Sequence, residues 1–232
     1  MLEFFTTPIA QDAAYHAFAD QRSLLGVPNF WNVVSNVPFL LVGAAGFAEV
    51  RRHRWDRLQP VWQVFFAGIF LTAFGSGWYH LDPTNMSLMW DRLTMVIGFM
   101  GFVALVCGEY LAVEWGRRLV IPLLLAGAAT VFYWIHTETS GAGDLRPYAA
   151  VQFLPLLLIP VIVVVNRKRS DLGLYIGLMI GLYVIAKIFE QFDQEIFAIG
   201  ELLSGHSLKH VAAALSAWCL VVGLRRRRDA YL

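Results

Sequence analysis

Seven apolar stretches, separated by short polar segments, form the pattern of this chain from residue 29 onwards. Each is close to the roughly 20 residues that a helix needs to cross the hydrocarbon core of a bilayer. Because a helix satisfies its own backbone hydrogen bonds in lipid, the pattern predicts an all-α integral membrane protein with a seven-transmembrane helix bundle. The predicted spans are 29–49, 59–80, 88–111, 118–136, 147–166, 172–190 and 206–224.

The composition agrees with a membrane protein, since 58% of the residues are hydrophobic and only 15% are charged. A soluble domain has about 25% charged residues. The net charge of +1 gives no indication of a nucleic-acid partner. We predict an extracytoplasmic N-terminal segment (1–28), one seven-helix transmembrane domain (29–224) and a basic tail (225–232). The N-terminal segment has no basic region followed by an apolar core, so we do not expect a cleaved signal peptide.

The basic residues are distributed unevenly between the two sides of the predicted bundle. Four follow the first span, two the third, three the fifth and four the seventh, whereas the opposite connections hold only Arg22 and Arg146. By the positive-inside rule, the N-terminus lies outside, in the periplasm or a lumen, and the C-terminus is cytoplasmic. Three further cations, Arg92, Lys187 and Lys209, fall within the spans. Cys107 and Cys219 also lie in apolar stretches, so no disulfide framework is expected.

Five polar side chains fall at one predicted depth, near the outer face. Ser76 and His80 end the second span, Asp91 begins the third, and His206 and His210 begin the seventh. An ionisable group inside a span costs roughly 2.5–3.5 kcal/mol on insertion scales and usually marks a function.

The spacing of the histidines favours a metal site. His206 and His210 are four residues apart and share a helix face. Three imidazoles are a known zinc ligand set that leaves one position open. Zinc lowers the pKa of bound water to about 7. In such a site Asp91 is a candidate general base and Ser76 a candidate hydrogen-bond donor to a developing oxyanion.

Each of these residues also has a simpler interpretation. His80 is consistent with an interfacial or helix-capping histidine, and Ser76 with a small residue at a helix contact. Asp91 is consistent with a helix cap favoured by the helix dipole. His16, His53 and His136 have no partner at the right spacing, and we interpret these three as surface residues.

The sixth span ends in a second group of charges. Glu190 and Lys187 can pair on one helix face. Glu190 or Asp193 is a candidate acceptor for the free ring N–H of a metal-binding histidine. A solvated helix end is an equally good interpretation. Lys209 is expected to point to one side of the metal.

Three motifs, "NFWNVVSN", "GSGWYHLDPTNMSLMWD" and "GHSLKH", resemble the alkaline ceramidase family, and most of all its bacterial branch. That family belongs to the CREST superfamily of seven-span hydrolases, which includes relatives of the adiponectin and progestin receptors. The resemblance implies a zinc amidase within the membrane. It implies zinc ligands (His80, His206, His210), catalytic residues (Asp91, Ser76) and a supporting polar stripe (Asn32, Ser35, Asn36).

The resemblance also bears on calcium, substrate and location. Eukaryotic members hold calcium through an acidic N-terminal segment, but here only Asp20 matches, with Arg22 and Asn29 near the other expected carboxylates. We therefore do not expect a calcium site. The family's substrate is ceramide, and another N-acyl lipid stays open. The location is a multi-pass membrane protein, bacterial inner membrane or, in a eukaryote, the ER or Golgi membrane.

Two other functions stay open at this stage. A seven-span lipid-responsive receptor with a structural zinc would have the same spans and the same histidines. A bis-histidine haem or proton-transfer protein is a third hypothesis, although haem needs ligands on facing helices and a pair four residues apart wastes one of them.

Overall fold

The computed structural model describes residues 7–52 and 56–229, and it is built of helices joined by short turns. His53 and Arg54, and the ends of the predicted N-terminal segment and basic tail, lie outside these ranges. The helices are α1 (Phe30–Val34), α2 (Val37–Val50), α3 (Gln59–Leu81), α4 (Asn85–Tyr110), α5 (Val113–Thr139), α6 (Arg146–Val165), α7 (Gly173–Gln191), α8 (Asp193–Gly200) and α9 (Gly205–Asp229).

Seven segments are long and apolar enough to cross a membrane, which confirms the predicted seven-helix fold. They coincide with the seven predicted spans to within a few residues at most ends. Large apolar side chains such as Leu157 and Val165 are 71% and 75% exposed on the outside of the bundle. Such exposure is expected of surfaces that face lipid rather than water.

The first span was expected to be one continuous helix, but it consists of two helices, α1 and α2, which meet at Ser35 and Asn36. Pro38 explains the break, because it has no backbone N–H to donate to the preceding turn. The carbonyl oxygen of Asn32 accepts hydrogen bonds from Ser35 Oγ at 3.1 Å and from Asn36 Nδ2 at 2.7 Å. The break therefore holds two polar side chains inside the bundle.

The last span continues past the predicted boundary at residue 224, since α9 ends at Asp229. Its basic residues do not form a free tail. Arg228 pairs with the fully buried Glu49 at 2.6 Å, and Arg227 pairs with Glu109 at 2.8 Å. These ion pairs tie the end of α9 to α2 and α4.

The central helix α4 packs against α3, α5 and α6, and α9 packs against α2 and α7. Glycine permits the closest of these contacts, because a Cβ on Gly68 of α3 would lie 2.1 Å from the backbone nitrogen of Gly98 on α4. The start of α4 is fixed by a capping box between Thr84 and Ser87. Asp91 therefore lies almost two turns inside α4, and the interpretation of Asp91 as a helix cap is wrong.

The described part of the N-terminal segment, residues 7–28, crosses the end of the bundle where α3 ends and α4 and α9 begin. The backbone N–H of Gln11 donates to Glu138 at the end of α5, and that of Ala19 donates to Asp193 in α8. Phe18 is 4% exposed and packs into an apolar cluster with Tyr79, Leu88 and Trp134. Phe18 is thus part of the folded core, and the backbone on either side of it is held against the bundle.

Candidate metal centre

The bundle brings three histidines from two helices together in its interior. His80 lies in the last turn of α3, and His206 and His210 lie in the first two turns of α9. They are 1%, 5% and 4% exposed. One nitrogen from each lies within 4.8 Å of the other two. Within the described ranges, this is the one group of His, Cys, Asp or Glu residues arranged to hold a metal ion.

The ring nitrogens of this triad fit a metal. Nε2 of His80 lies 3.3 Å from Nε2 of His210. Two nitrogens bound to one zinc ion at about 2.0–2.1 Å in a tetrahedral site are roughly 3.3 Å apart. Nε2 of His206 is buried and has no hydrogen-bond partner among the residues described. An unpaired buried polar atom costs about 1–3 kcal/mol, and a metal ion bound to this nitrogen would remove that cost.

The polar stripe predicted on the first span lies against the start of α9. Ser35 Oγ is 2.8 Å from Nδ1 of His210. Asn32 is fully buried, donates to the carbonyl oxygen of Asp20 at 2.9 Å and accepts from Ser207 Oγ at 2.9 Å. Asn36 supports the same turn through the carbonyl oxygen of Asn32. The break in the first span thus connects the histidines to the N-terminal segment.

Glu190 and Asp193 do not accept ring N–H groups from the triad, which corrects the expectation from the sequence. Glu190 is held by Lys187, as expected, and by Lys209 at 2.5 Å. Asp193 accepts the backbone N–H of His206 at 2.6 Å and that of Ala19 at 2.9 Å. The lysines and the backbone of the start of α9 engage these carboxylates. Among the described residues, Ser35 is the one from outside the triad whose side chain hydrogen-bonds a ring nitrogen of the triad.

Gly205 allows this arrangement at the start of α9. A Cβ there would lie 2.1 Å from the carbonyl oxygen of Phe189 and 2.9 Å from the Cα of Asp193. Only glycine permits the chain to pass so close to the end of α7, which in turn brings Asp193 to the backbone of His206.

A cavity of about 260 Å³ adjoins the triad. His210, Asp91 and Ser76 all line it, so the structure brings the predicted catalytic residues to one cavity together with one of the histidines. Asp91 is 7% exposed, and its Oδ1 has no hydrogen-bond partner in the described part of the chain. This oxygen is therefore available to a molecule that enters the cavity.

Phe18 covers the triad on its other side. Its ring centroid lies 4.7 Å from that of His80 and 4.7 Å from that of His206. Phe18 carries no signal in the sequence, because no spacing within residues 1–28 relates it to the spans. Its burial depends on the long-range contacts made by its neighbours Ala19 and Asp20.

Asp20 lies at the centre of an ion pair. Arg22 donates to both of its carboxylate oxygens, at 2.8 Å and 2.7 Å. Burial by itself raises the pKa of the Asp20 carboxyl, but the hydrogen bonds from Arg22 outweigh it and hold this pKa below its usual value. Arg22 also donates to the backbone of Glu201 and Leu202 ahead of α9.

Two of the three remaining histidines are described. His136 is exposed, as expected. His16 is half-buried rather than on the surface, because Nδ1 lies 3.0 Å from the hydroxyl of Tyr79 and Nε2 lies 3.0 Å from Oδ1 of Asn85. It joins the N-terminal segment to α3 and α4. Both cysteines are free thiols.

A buried triad of histidines that could hold a metal ion lies beside a cavity, in a bundle of seven helices that are long and apolar enough to cross a membrane. The family model for ceramidases matches residues 26–229, and the chain belongs to the ceramidase family. The family implies a hydrolase that acts on amide bonds, which favours the enzyme over the receptor interpretation. No curated protein sequence matches this chain.

Proposed function

We propose that this chain hydrolyses the amide bond of ceramide or a related N-acyl lipid, with a zinc ion held by His80, His206 and His210. The observation that carries the proposal is the cavity that His210 shares with Asp91 and Ser76. Zinc bound to three imidazoles would supply a Lewis acid that activates water for attack on a carbonyl carbon. The products are a fatty acid and a free amine, which is a sphingoid base when the substrate is ceramide.

Asp91 is the proposed general base and then general acid. Its unpartnered Oδ1 receives the proton of the attacking water, and the same carboxyl group then delivers a proton to the amine nitrogen as the C–N bond breaks.

Ser76 is the proposed donor to the substrate carbonyl. It is 3% exposed and lies nearly five turns into α3, one turn before His80. A hydroxyl there stabilises the negative charge that develops on the carbonyl oxygen when water attacks.

The remaining walls suit the apolar part of a lipid. Phe39, Leu88, Met95 and Phe153 line the same cavity as Asp91. A smaller apolar pocket of about 40 Å³ lies between α4, α6 and α7 and shares Gln152 and Tyr183 with the main cavity. We propose that an acyl chain follows this path from the amide towards the middle of the bundle.

We also propose the topology that the basic residues indicate, with the N-terminus outside and the C-terminus in the cytoplasm. With the basic ends of the spans in the cytoplasm, the triad and residues 7–28 lie at the outer side, in a bacterial inner membrane or an ER or Golgi membrane. The division into an N-terminal segment, a hydrolase domain (29–224) and a cytoplasmic basic end is proposed on the same basis. A lipid of the outer leaflet would reach the amide site without crossing the membrane.

The test combines metal content with turnover in purified full-length protein. We expect one zinc per chain by mass spectrometry and release of fatty acid from ceramide or another N-acyl lipid in a panel that shares one acyl chain. Asp91→Asn should keep the zinc and lose about 10²–10⁴-fold in kcat. Asp171→Asn is the matched control, because this aspartate is exposed and pairs with Arg227 far from the cavity.

Two results would contradict the proposal. Full activity in Asp91→Asn would remove the assigned base. Stoichiometric zinc without hydrolysis of any amide in the panel would favour a receptor with a structural metal.

A further inference from the structure

Three cations within the predicted spans, Arg92, Lys187 and Lys209, all line the cavity beside Asp91. The carboxylates of the same cavity are Asp91 and Glu190, so cations outnumber carboxylates by three to two. Charged groups inside a membrane protein are costly and usually mark a binding or transport pathway.

The two lysines are partnered. Lys187 and Lys209 both bond to Glu190, one to each carboxylate oxygen, and Tyr15 donates to the same carboxylate at 3.2 Å. Each lysine therefore already has a carboxylate partner. The two lysines and Glu190 together carry a net charge of +1.

Arg92 differs from the lysines. It is 5% exposed, and its guanidinium carbon lies 3.9 Å from the ring centroid of Trp134 and 4.8 Å from that of Tyr148. Nη2 donates to Oε1 of Gln11 at 2.5 Å, whereas Nη1 has no hydrogen-bond partner. No ion pair joins Arg92 to a carboxylate anywhere in residues 7–52 or 56–229. A buried guanidinium with an unused donor is incomplete without an anion or another acceptor.

We propose that the lipid substrate carries a carboxylate on its amine half and that Arg92 binds it. The substrate class is then an N-acyl amino acid lipid, in which the carboxylate stands two bonds from the amide nitrogen. This inference rests on the proposed amide hydrolysis. Water adds across the C–N bond, so the products are a fatty acid and an amine that keeps the carboxylate.

The position and chemistry of Arg92 support this class. Arg92 and Asp91 line the same cavity, so a lipid whose amide lies at Asp91 can place a carboxylate beside Arg92. A guanidinium binds a carboxylate through charge-assisted hydrogen bonds, which are stronger than those to a neutral hydroxyl. The rings of Trp134 and Tyr148 hold the guanidinium plane in place, which reduces the entropy lost on binding.

The experiment compares two lipids that differ only at this group, N-oleoyl-serine and its neutral alcohol N-oleoyl-serinol, on the zinc-loaded full-length protein. The wild type should prefer the carboxylate lipid in kcat/KM. In Arg92→Gln the ratio of the two kcat/KM values should fall about ten- to hundredfold, mainly through KM, the range expected for a hydrogen bond to a charged group. Arg92→Lys should keep part of the preference.

Arg225→Gln is the matched control. Arg225 also stacks on a tryptophan, Trp218 at 4.9 Å, but it lies near the C-terminal end of α9, whereas the histidines lie at the start of that helix. Its ratio should equal that of the wild type. A third lipid, with a phosphate in place of the carboxylate, tests which of the two anions the protein prefers. A higher kcat/KM for the phosphate lipid would overturn the carboxylate assignment.

Binding is measured in parallel by ligand-induced thermal shift on two proteins. One is the Asp91→Asn single variant, and the other is the double variant that also carries Arg92→Gln. The carboxylate lipid should stabilise the protein more than the alcohol, and only when Arg92 is present. Equal responses to both lipids, or an equal loss of both in Arg92→Gln, would overturn the inference. Absence of all turnover contradicts the proposed hydrolase, whereas the binding ratio decides the carboxylate assignment in either case.

Discussion

Ser35 Oγ lies 2.8 Å from Nδ1 of His210, and this contact connects the break in the first span to the candidate metal centre. With Nδ1 engaged, His210 has Nε2 left for a metal, and that atom lies 3.3 Å from Nε2 of His80. A hydrogen-bonded partner on the second ring nitrogen fixes the orientation of a metal-binding imidazole. Ser35 is therefore assigned a positioning role.

Replacing Ser35 by alanine should lower the affinity for zinc by about 10–100-fold, the range found for loss of a residue that orients a metal ligand. A competition titration with a zinc chelator measures it. Ser216→Ala is the control, because Ser216 is also buried in the bundle but donates within its own helix to Ala213. Equal affinities in Ser35→Ala and Ser216→Ala would refute the role of Ser35.

Asp193 should matter for stability as well as for the site. It accepts the backbone N–H groups of Ala19 and His206, so Asp193→Ala leaves two donors without a partner. We expect a loss of about 1–3 kcal/mol in the free energy of unfolding, together with weaker zinc binding. Chemical denaturation in detergent measures the stability.

Glu195→Ala in the same helix is the comparison for Asp193→Ala, since this carboxylate is exposed. It should change neither property. If Asp193→Ala unfolds at the same denaturant concentration as Glu195→Ala, the two backbone contacts do not hold the N-terminal segment in place.

Phe18 should control how fast the metal leaves. Its ring covers His80 and His206, so Phe18→Ala opens the triad from the side of the N-terminal segment. Zinc transfer to a chelator should become faster, and the free energy of unfolding should fall by about 3–5 kcal/mol, the usual cost of Phe→Ala in a core. In Leu25→Ala, where the side chain is 92% exposed, both quantities should stay at wild-type values. An unchanged rate of zinc transfer in Phe18→Ala would show that this ring is not the barrier.

Acyl-chain length should depend on the small pocket between α4, α6 and α7. Ile180 lines this pocket, and Ile180→Phe fills part of its roughly 40 Å³. The ratio of turnover on a long N-acyl chain to turnover on a short one should then fall. Leu178→Phe enlarges a half-exposed side chain on the same helix and should leave the ratio unaltered. The same ratio in both variants would place the acyl chain elsewhere.

The fold could be predicted from the sequence because hydrophobicity over some 20 residues is a local property. Where the structure differs from the predicted helix bounds, a single residue or a distant partner is responsible. Pro38 divides the first span, and the pairing of Arg227 and Arg228 with Glu109 and Glu49 extends the last helix beyond its apolar part. Ion pairs between distant segments leave no periodic signal in one sequence.

In the candidate site, too, the features set by local spacing could be predicted and those set by long-range contacts could not. His206 and His210 are related by helical spacing, and His80 and Asp91 by the depth of their spans, so the sequence suffices to group them. The contact between Ser35 and His210 and the cover provided by Phe18 join residues more than 60 positions apart. Arg92 was visible as a charge within a span, but its unpaired Nη1 becomes apparent only in the folded chain.

The most direct test of the metal centre is X-ray absorption at the zinc edge, recorded on the purified protein and on His80→Ala, His206→Ala and His210→Ala. The account predicts a shell of nitrogen and oxygen atoms at about 2.0–2.1 Å with three imidazoles, and loss of bound zinc in each variant. A sulfur shell at about 2.3 Å, which would implicate Cys107 or Cys219, or full zinc with an unchanged imidazole shell in any of the three variants, would contradict it.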